Sequence, residues 1–441
     1  MTKTVITAAI TAALMALSII IKPYITIKKF KVGLYCLISV AGAAILLALG
    51  AVSVKEAVAG MVANSAVNPI KILALFLSVT LVSVYLGNAG FFSFVAERIF
   101  KNVKGGQIKL FLLLYSTVAI LTVFTSNDII VLTFTPPVCI FARKAKISPV
   151  PYLMGEFVAA NTWSVALIVG NPTNIYLAGS YGVDFFAYAK VMLLPAIVAG
   201  VSSLCVLLLL FGKQLKQPVA ASEKNEIACG SDENAKTRID KVQTAASLFT
   251  LCACIIALSV SSFIGAEMWL VCVVGAGALT AFLIVYGLIR DKSAARVLQG
   301  LKKEPYELIP FVLSMFVIVL ALKKCGFTDV LGNALLRGEK SDALSFGFLS
   351  ALSANFLNNI PMSVLFEKII GGKSLYALYG AVIGSNLGAF ITPVGALAGI
   401  MWTKILNGEG VKLSFGKFAL YGTCCALPAI LLSCLTLFIT L

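Results

Sequence analysis

From residue 191 to residue 211 the chain carries no charged side chain, and that run alone can cross a bilayer core of roughly 30 Å, which takes about 17–25 apolar residues in a helix. Comparable runs occupy residues 72–86, 245–260, 268–289 and 308–322. Several such runs make a helical bundle rather than a single anchor. Composition agrees: of 441 residues 60% are hydrophobic and 12% charged, more apolar surface than a water-soluble domain can hide. The expected fold class is an all-α integral membrane protein, multi-pass, in the plasma membrane with the lipid bilayer as its solvent. The first run, 5–21, follows Lys3 and precedes no small-residue cleavage pattern, so it reads as the first spanning helix.

Histidine is absent, which removes a common metal ligand and general base and argues against an intramembrane metalloprotease or a haem protein. The eleven cysteines form no CxxC pair and read mostly as small apolar core residues. No nucleophile stands beside a matched base in the motifs below, so the chain is not read as an enzyme, and no catalytic residue, metal or cofactor is expected. A formal charge of +16 would point to nucleic acid in a soluble protein. Here the lysines and arginines collect in short loops between apolar segments, which is an orientation signal, and nucleic acid is not an expected partner. The basic loops at 22–31, 98–109, 143–146, 213–241, 290–303 and 404–417 are assigned to the cytoplasm. The connections at 52–68, 181–184 and 263–267 carry almost no positive charge, although 323–340 carries several, and this alternation places both termini outside.

Residues 213–242 form the one long polar stretch and read as a cytoplasmic linker between a first repeat, 1–212, and a second, 243–441. Four landmarks recur in order in the two halves. An apolar helix ends in Gly90-Phe91 and again in Gly326-Phe327. A hydrophobic segment is broken by Thr125-Ser126-Asn127-Asp128, and again by Asn355 and the run Asn358-Asn359-Ile360-Pro361. An asparagine inside an apolar helix, Asn161 or Asn386, is followed by Val169-Gly170 or Val394-Gly395. By the loop charges the first broken segment begins and ends in the cytoplasm and the second outside, so the repeats have inverted topology. The architecture expected is about ten transmembrane helices, two re-entrant hairpins near 107–142 and 343–370, and two discontinuous helices.

The broken segments carry the candidate site. Arms at 110–124 and 129–141 are short for two full spans, so a hairpin with its polar tip at membrane depth fits better; there, freed backbone groups must face protein or a wet cavity. The following helices are interrupted by Gly170-Asn171-Pro172-Thr173-Asn174 and by Thr392-Pro393-Val394-Gly395, where proline and glycine unwind the backbone. Paired unwound helices in corresponding halves point to a secondary transport site. The substrate-binding candidates are Ser126, Asn127, Asn171, Thr173, Asn174, Asn358, Asn359, Thr392 and Gly395. Asp128, a carboxylate at a tip inside the membrane, is the candidate carrier of the coupling proton or ligand of a coupling cation, with Asn161 and Asn386 as its companions. As helix N-cap it has a simpler role that can coexist with coupling. Glu156 and Glu367 are expected at the membrane interface.

At these motifs the sequence resembles the ion transporter superfamily of arsenite efflux pumps, sodium/proton antiporters and citrate or dicarboxylate carriers. FTSNDIIVLTFTPPV, NFLNNIPMSVLF and GSNLGAFITPVGALAGIMW look most like the arsenite pump branch. The tip Ser126-Asn127-Asp128-Ile129 departs from that branch's Ala-Asn-Asp-Gly, and Gly170 to Asn174 is closer to the Gly-x-Pro-x-Asn of the antiporter and carboxylate branches. The resemblance implies proton-coupled export of a metalloid or small oxyanion of the arsenite or antimonite type. The alternatives it leaves open are a sodium- or proton-coupled citrate or dicarboxylate transporter and a sodium/proton antiporter. It further implies a small inorganic or organic ion as substrate, a homodimer through the first helices of each repeat and, for an arsenite pump, an ATPase subunit.

Overall fold

The computed structural model describes residues 1–21, 24–27, 30–63, 68–101, 106–218, 239–393 and 395–441. Residues 219–238 of the expected linker, Val394 of the second unwound stretch, and parts of the loops at 22–31, 52–68 and 98–109 lie outside the described residues. Helices dominate because long apolar runs satisfy their own backbone only in that form, and polar caps set where they begin. Asn68 accepts from the Ile70 and Lys71 amides ahead of Pro69–Asn88, with Pro69 in the first turn. Asp184 caps Phe185–Leu215 through the Ala187 amide at 2.7 Å, and Ser374 caps Leu375–Gly388 through Ala377 at 3.1 Å. One element departs from the all-α expectation: Tyr24–Ile27 and Phe30–Gly33 pair as a short antiparallel ribbon, Tyr24 opposite Gly33. Both segments are rich in β-branched and aromatic residues.

The order of elements in the first half is repeated in the second. Thr2–Ile21 and Leu34–Ala48 correspond to Lys241–Ile264 and Met268–Asp291; short Val54–Val62 corresponds to Ala295–Lys303. Then come Pro69–Asn88 and Leu308–Lys324, the short Phe91–Lys101 and Phe327–Leu335, and two broken hairpins. The first hairpin is Gly106–Phe124 with Asn127–Lys144, and the second is Glu339–Leu357 with Asn359–Ile370. Each half closes with an interrupted helix, Val150–Trp163 with Pro172–Ser180 or Leu375–Gly388 with Leu397–Gly408, and a long helix, Phe185–Leu215 or Phe415–Thr440. Packing between the halves is reciprocal. Leu34–Ala48 packs on Leu308–Lys324 while Met268–Asp291 packs on Pro69–Asn88, and Pro172–Ser180 packs on Asn359–Ile370 while Leu397–Gly408 packs on Asn127–Lys144.

The hairpin arms are longer than expected, and at 19 residues Gly106–Phe124 is long and apolar enough to cross a membrane. Length is therefore not what marks the hairpins. Their bases do. Gln107, at the start of the first hairpin, accepts from the hydroxyl of Tyr152, just beyond its end, at 3.1 Å. Lys373, just beyond the second hairpin, donates to Asn333, just before it, at 3.1 Å. Residues flanking the two ends of each hairpin are thus bonded to each other. Gln107 also donates to the Gln217 carbonyl at 2.8 Å, whereas Tyr181 accepts from the Gly372 amide at 2.9 Å. Gln217 and Tyr181 flank opposite ends of Phe185–Leu215, a helix of 31 residues and so about 46 Å long at 1.5 Å per residue.

Other loop contacts sort the same way. Arg143 pairs with Glu409, and Arg290 with Asp240, joining loops assigned to the cytoplasm. Lys324 pairs with Glu56, joining loops assigned outside, and Lys71, in the first turn of Pro69–Asn88, pairs with Glu267 of another such loop. A close seam lies between Glu339–Leu357 and Leu375–Gly388. Ala343, Gly347 and Ala351 on one helix meet Gly380, Gly384 and Gly388 on the other, each set spaced by four, and a Cβ at Gly384 would fall 1.8 Å from the Gly347 carbonyl oxygen. That seam fixes the second hairpin against the second interrupted helix.

Candidate functional site

The two tips form differently. In the first, Thr125 and Ser126 separate the arms, and Thr125, Ser126 and Asn127 are all buried. Asn127 donates to Asn161 Oδ1 at 3.1 Å, tying the tip to the first interrupted helix. In the second, the break is the single residue Asn358, whose φ of 74° lies in the left-handed region that non-glycine residues seldom adopt. Asn355 belongs to the arm before it, donating to the Ala351 carbonyl at 2.8 Å. Its other contacts reach the second unwound stretch: it donates to the Gly388 carbonyl and accepts from the Thr392 amide and hydroxyl at 3.0 and 2.6 Å. Asn359, oriented to satisfy its surroundings, donates to the Ser385 and Gly395 carbonyls at 3.1 and 3.0 Å.

The unwound stretches meet in a second polar cluster. Asn386 donates to Asn174 Oδ1 at 2.7 Å and accepts from the Ser164 hydroxyl at 2.9 Å. Asn174 in turn donates to the Ser164 and Leu167 carbonyls at 2.8 and 3.1 Å, satisfying backbone that the break at 164–171 frees from the helix. Asn171 caps Pro172–Ser180 through the Thr173 amide at 3.1 Å.

Between the tips lies a cavity of about 20 Å³, room for one water-sized occupant. It is lined by Asn127 and Asp128 from the first tip, Asn358, Asn359 and Ile360 from the second, Asn171 and Pro172 from the first unwound stretch, and Leu308 and Ala396. No lysine or arginine lines it. Asn127 Oδ1 and Asn358 Nδ2 are buried with no hydrogen-bond partner among the described residues, an acceptor and a donor left for whatever enters. A free carboxyl, an amide acceptor and an amide donor can hydrogen-bond a small hydroxylated solute and exchange a proton with it.

The sequence profile of the citrate transporter family matches residues 6–374. The chain belongs to that family. It is a membrane transporter, and the apolar helices described above make it multi-pass. Among its relatives, the arsenical pump membrane protein of Escherichia coli is 27% identical over 370 residues, covering 81% of this chain and 83% of the relative. The putative arsenical pump membrane protein of Bacillus subtilis is 25% identical over 364 residues, covering 78% and 81%. Two solved transporters share the fold. The YdaH transporter of Alcanivorax borkumensis has a TM-score of 0.56 at 14% identity over 99% of this chain and 97% of that one. MtrF of Neisseria gonorrhoeae, of a class of antimetabolite efflux pumps, has a TM-score of 0.57 at 12% identity over 98% and 94%.

Of the residues singled out in this transporter's sequence, Asn127, Asp128, Asn171, Asn358 and Asn359 come together at the cavity. Asn161, Asn174 and Asn386 lie in the hydrogen-bonded clusters behind it, and Thr392 and Gly395 are held by Asn355 and Asn359. Ser126 and Thr173 are buried with unpartnered hydroxyls, outside the cavity lining. Sequence reasoning missed Leu308, Ile360 and Ala396 as liners, which carry no polar signal, and Ser164 as a cluster member, three residues after Asn161. Glu156 corrects an expectation: it is fully buried in protein, because Val150–Trp163 is covered by Gly106–Phe124, Phe185–Leu215 and the helices of the second half. Glu367 is also buried, with Lys368 at 3.0 Å.

Proposed function

We propose that this transporter exports a small neutral metalloid hydroxide of the arsenite or antimonite type in exchange for protons. The cavity between the hairpin tips is the observation that carries this reading: it is small, lined by amides and one carboxyl, and lacks a cation. A tricarboxylate would need positive compensation there, since an uncompensated charge at membrane depth costs at least several kcal/mol; an uncharged hydroxide needs none. Asp128 has no ion-pair or hydrogen-bond partner among the described residues, so it is free to bind and release a proton as the cavity changes sides. The relatives named as arsenical pump membrane proteins support the same substrate class.

Two inverted repeats supply the alternation. Their support is the repeated order of elements, the reciprocal packing, and hairpin bases at opposite ends of Phe185–Leu215. In this reading residues 1–212 and 243–441 are the repeats, the hairpins are re-entrant, and the tips approach the bilayer midplane from opposite sides. A homodimer through the first helices of each repeat, and an ATPase subunit for an arsenite pump, go with the same reading. Citrate transport is the second reading, favoured by the family's description. Uptake of arsenite, antimonite, citrate and succinate by everted vesicles under a proton or sodium gradient separates them. Proton-driven arsenite accumulation that Asp128→Asn abolishes is the expected result; carboxylate uptake with indifference to arsenite overturns it.

A further inference from the structure

A second carboxyl lies buried beside the first hairpin, outside the cavity. Glu156 is 0% exposed. Its Oε1 is 2.9 Å from the Thr135 hydroxyl, and its Oε2 has no hydrogen-bond partner among the described residues. The Thr135 hydroxyl also lies 2.5 Å from the Val131 carbonyl oxygen. Two oxygens so close need a proton between them, and a threonine hydroxyl owns one. That proton is shared between the Val131 carbonyl and Glu156 Oε1, both of which accept from it. Among the described residues no cation pairs with Glu156 and its Oε2 is bare, so a carboxylate there would be a buried, uncompensated charge, and burial without a partner favours the protonated carboxyl.

Its placement gives the proton somewhere to go. Asp128, Val131 and Thr135 stand at positions i, i+3 and i+7 of Asn127–Lys144, one face of one helix. The two turns between Asp128 and Thr135 rise about 10 Å. Further along the same arm stand Cys139 and Arg143, and Arg143 pairs with Glu409 at 3.0 Å. Pro136 and Pro137 sit inside this helix, and lacking amide hydrogens they leave the Leu132 and Thr133 carbonyls without their usual helical donors. Beyond Thr135 the titratable and charged groups of this arm are Cys139, Arg143, which pairs with Glu409, and Lys144. On the helix of Glu156 itself the nearest is Tyr152, whose hydroxyl is held by Gln107. Among the described residues, no titratable group on the other helices packed on it pairs with Glu156.

We propose that Glu156 relays the coupling proton between Asp128 and the Arg143 end of the first hairpin, assigned to the cytoplasm. Glu156 gives its carboxyl proton to water at that end and, as a carboxylate, takes the proton that Asp128 releases. Asp128, left as a carboxylate, takes a proton from the cavity; both groups are then back in their starting form, and one proton has moved from the cavity to the cytoplasm. The inference rests on the proton-coupled reading of the cavity.

The test uses the full chain in proteoliposomes with arsenite as probe, comparing wild type, Glu156→Gln and Glu156→Asp. Glutamine can still accept from the Thr135 hydroxyl through its amide oxygen, so the packing is kept. Proton-driven accumulation is expected to fall about 100-fold in E156Q, the scale of a lost acid–base group, while arsenite counterflow without a proton gradient is unchanged. E156D is expected to restore part of the driven transport with a displaced pH profile. In infrared difference spectra the wild type is expected to show a protonated carboxylic acid band that E156Q lacks. Wild-type coupling and pH profile in E156Q overturn the relay, as does counterflow lost together with coupling and not rescued by E156D. Wild-type arsenite transport indifferent to the proton gradient overturns the proton-coupled reading itself, and the infrared band then reports on Glu156 separately.

Discussion

Asn386→Ala has a cost that the geometry sets directly. The Asn386 amide donates to Asn174 Oδ1 at 2.7 Å and to the Val382 carbonyl at 2.8 Å, and its oxygen accepts from Ser164 at 2.9 Å. Alanine removes all three, but the consequences differ. Ser164 keeps an alternative acceptor in the Asn161 carbonyl at 2.8 Å, and the Val382 carbonyl keeps its helical setting. Asn174 Oδ1 is left buried without a donor, which costs about 1–3 kcal/mol. Interhelical hydrogen bonds in membrane proteins average only about 0.6 kcal/mol because the reference state also finds partners. The expected loss is therefore about 2 kcal/mol. With an unfolding entropy near 2.1 cal/mol/K per residue and the whole chain unfolding together, that is a fall of about 2 °C in Tm. A thiol-reactive fluorescent maleimide measures it: Cys139, Cys425 and Cys434 are buried and react only on unfolding. Adding Asn174→Ala should cost less than the sum of the single changes, since no orphan acceptor then remains. An unchanged Tm in N386A, or strict additivity in the double variant, would refute the reasoning.

Asp128→Asn is expected to abolish proton-driven transport while leaving the folded yield and Tm near wild type, because no partner is orphaned; a collapse of folded yield would mean the carboxyl is structural. Gly384→Ala drives a Cβ against the Gly347 backbone 1.8 Å away and should cost about 1–3 kcal/mol, whereas Gly212→Ala, with nothing within 4 Å, should be neutral by the same thiol assay. Burial raises the Asp240 carboxyl, but the Gln243 amide, Arg296 and Arg290 outweigh it and hold the group below the ordinary carboxylate range. Stability from such a group is present above the unfolded value of about 3.9 and is lost as pH falls through the lower folded value. Asp240→Asn should therefore be less stable than wild type at neutral pH, with the gap closing on acidification; a gap that persists at low pH contradicts the ion-pair account.

Much of this was legible because membrane folding leaves coarse marks. Loop charge alone sorted the connections into two sets, and Arg143 with Glu409 or Lys324 with Glu56 meet within those sets. The tips were legible because asparagine and aspartate interrupt apolar runs where the bilayer tolerates few polar groups. What separates a site asparagine from a supporting one was not legible. Asn127 and Asn386 are the same residue type in similar apolar surroundings, yet one amide oxygen is unpartnered near the cavity and the other accepts from Ser164, 222 positions away in sequence. Burial of Glu156 was hidden for a related reason: Val150–Trp163 is apolar all round, and which of its faces meets protein rather than lipid depends on helices from both halves.

The tips share a helical register and differ in charge, and that difference makes a further prediction. Ser126 and Asn358 cap the second arms, Asn127 and Asn359 open them, and the next residues are Asp128 and Ile360. If any carboxyl at either tip could carry the proton, moving it across in Asp128→Asn/Asn359→Asp would restore coupling. The surroundings forbid this. Asn359 donates to two carbonyl oxygens, those of Ser385 and Gly395, so an ionised carboxylate there would face two acceptors with no donor. Aspartate at this position would have to keep its proton to hydrogen-bond either carbonyl, and a proton that is always held cannot be exchanged. Asp128 faces no such pair of acceptors. The swapped variant is therefore expected to fold and to show no proton-driven arsenite accumulation in the vesicle assay, like Asp128→Asn alone. Recovery of driven transport would show instead that the tips are interchangeable and that the bonds made by Asn359 do not govern protonation.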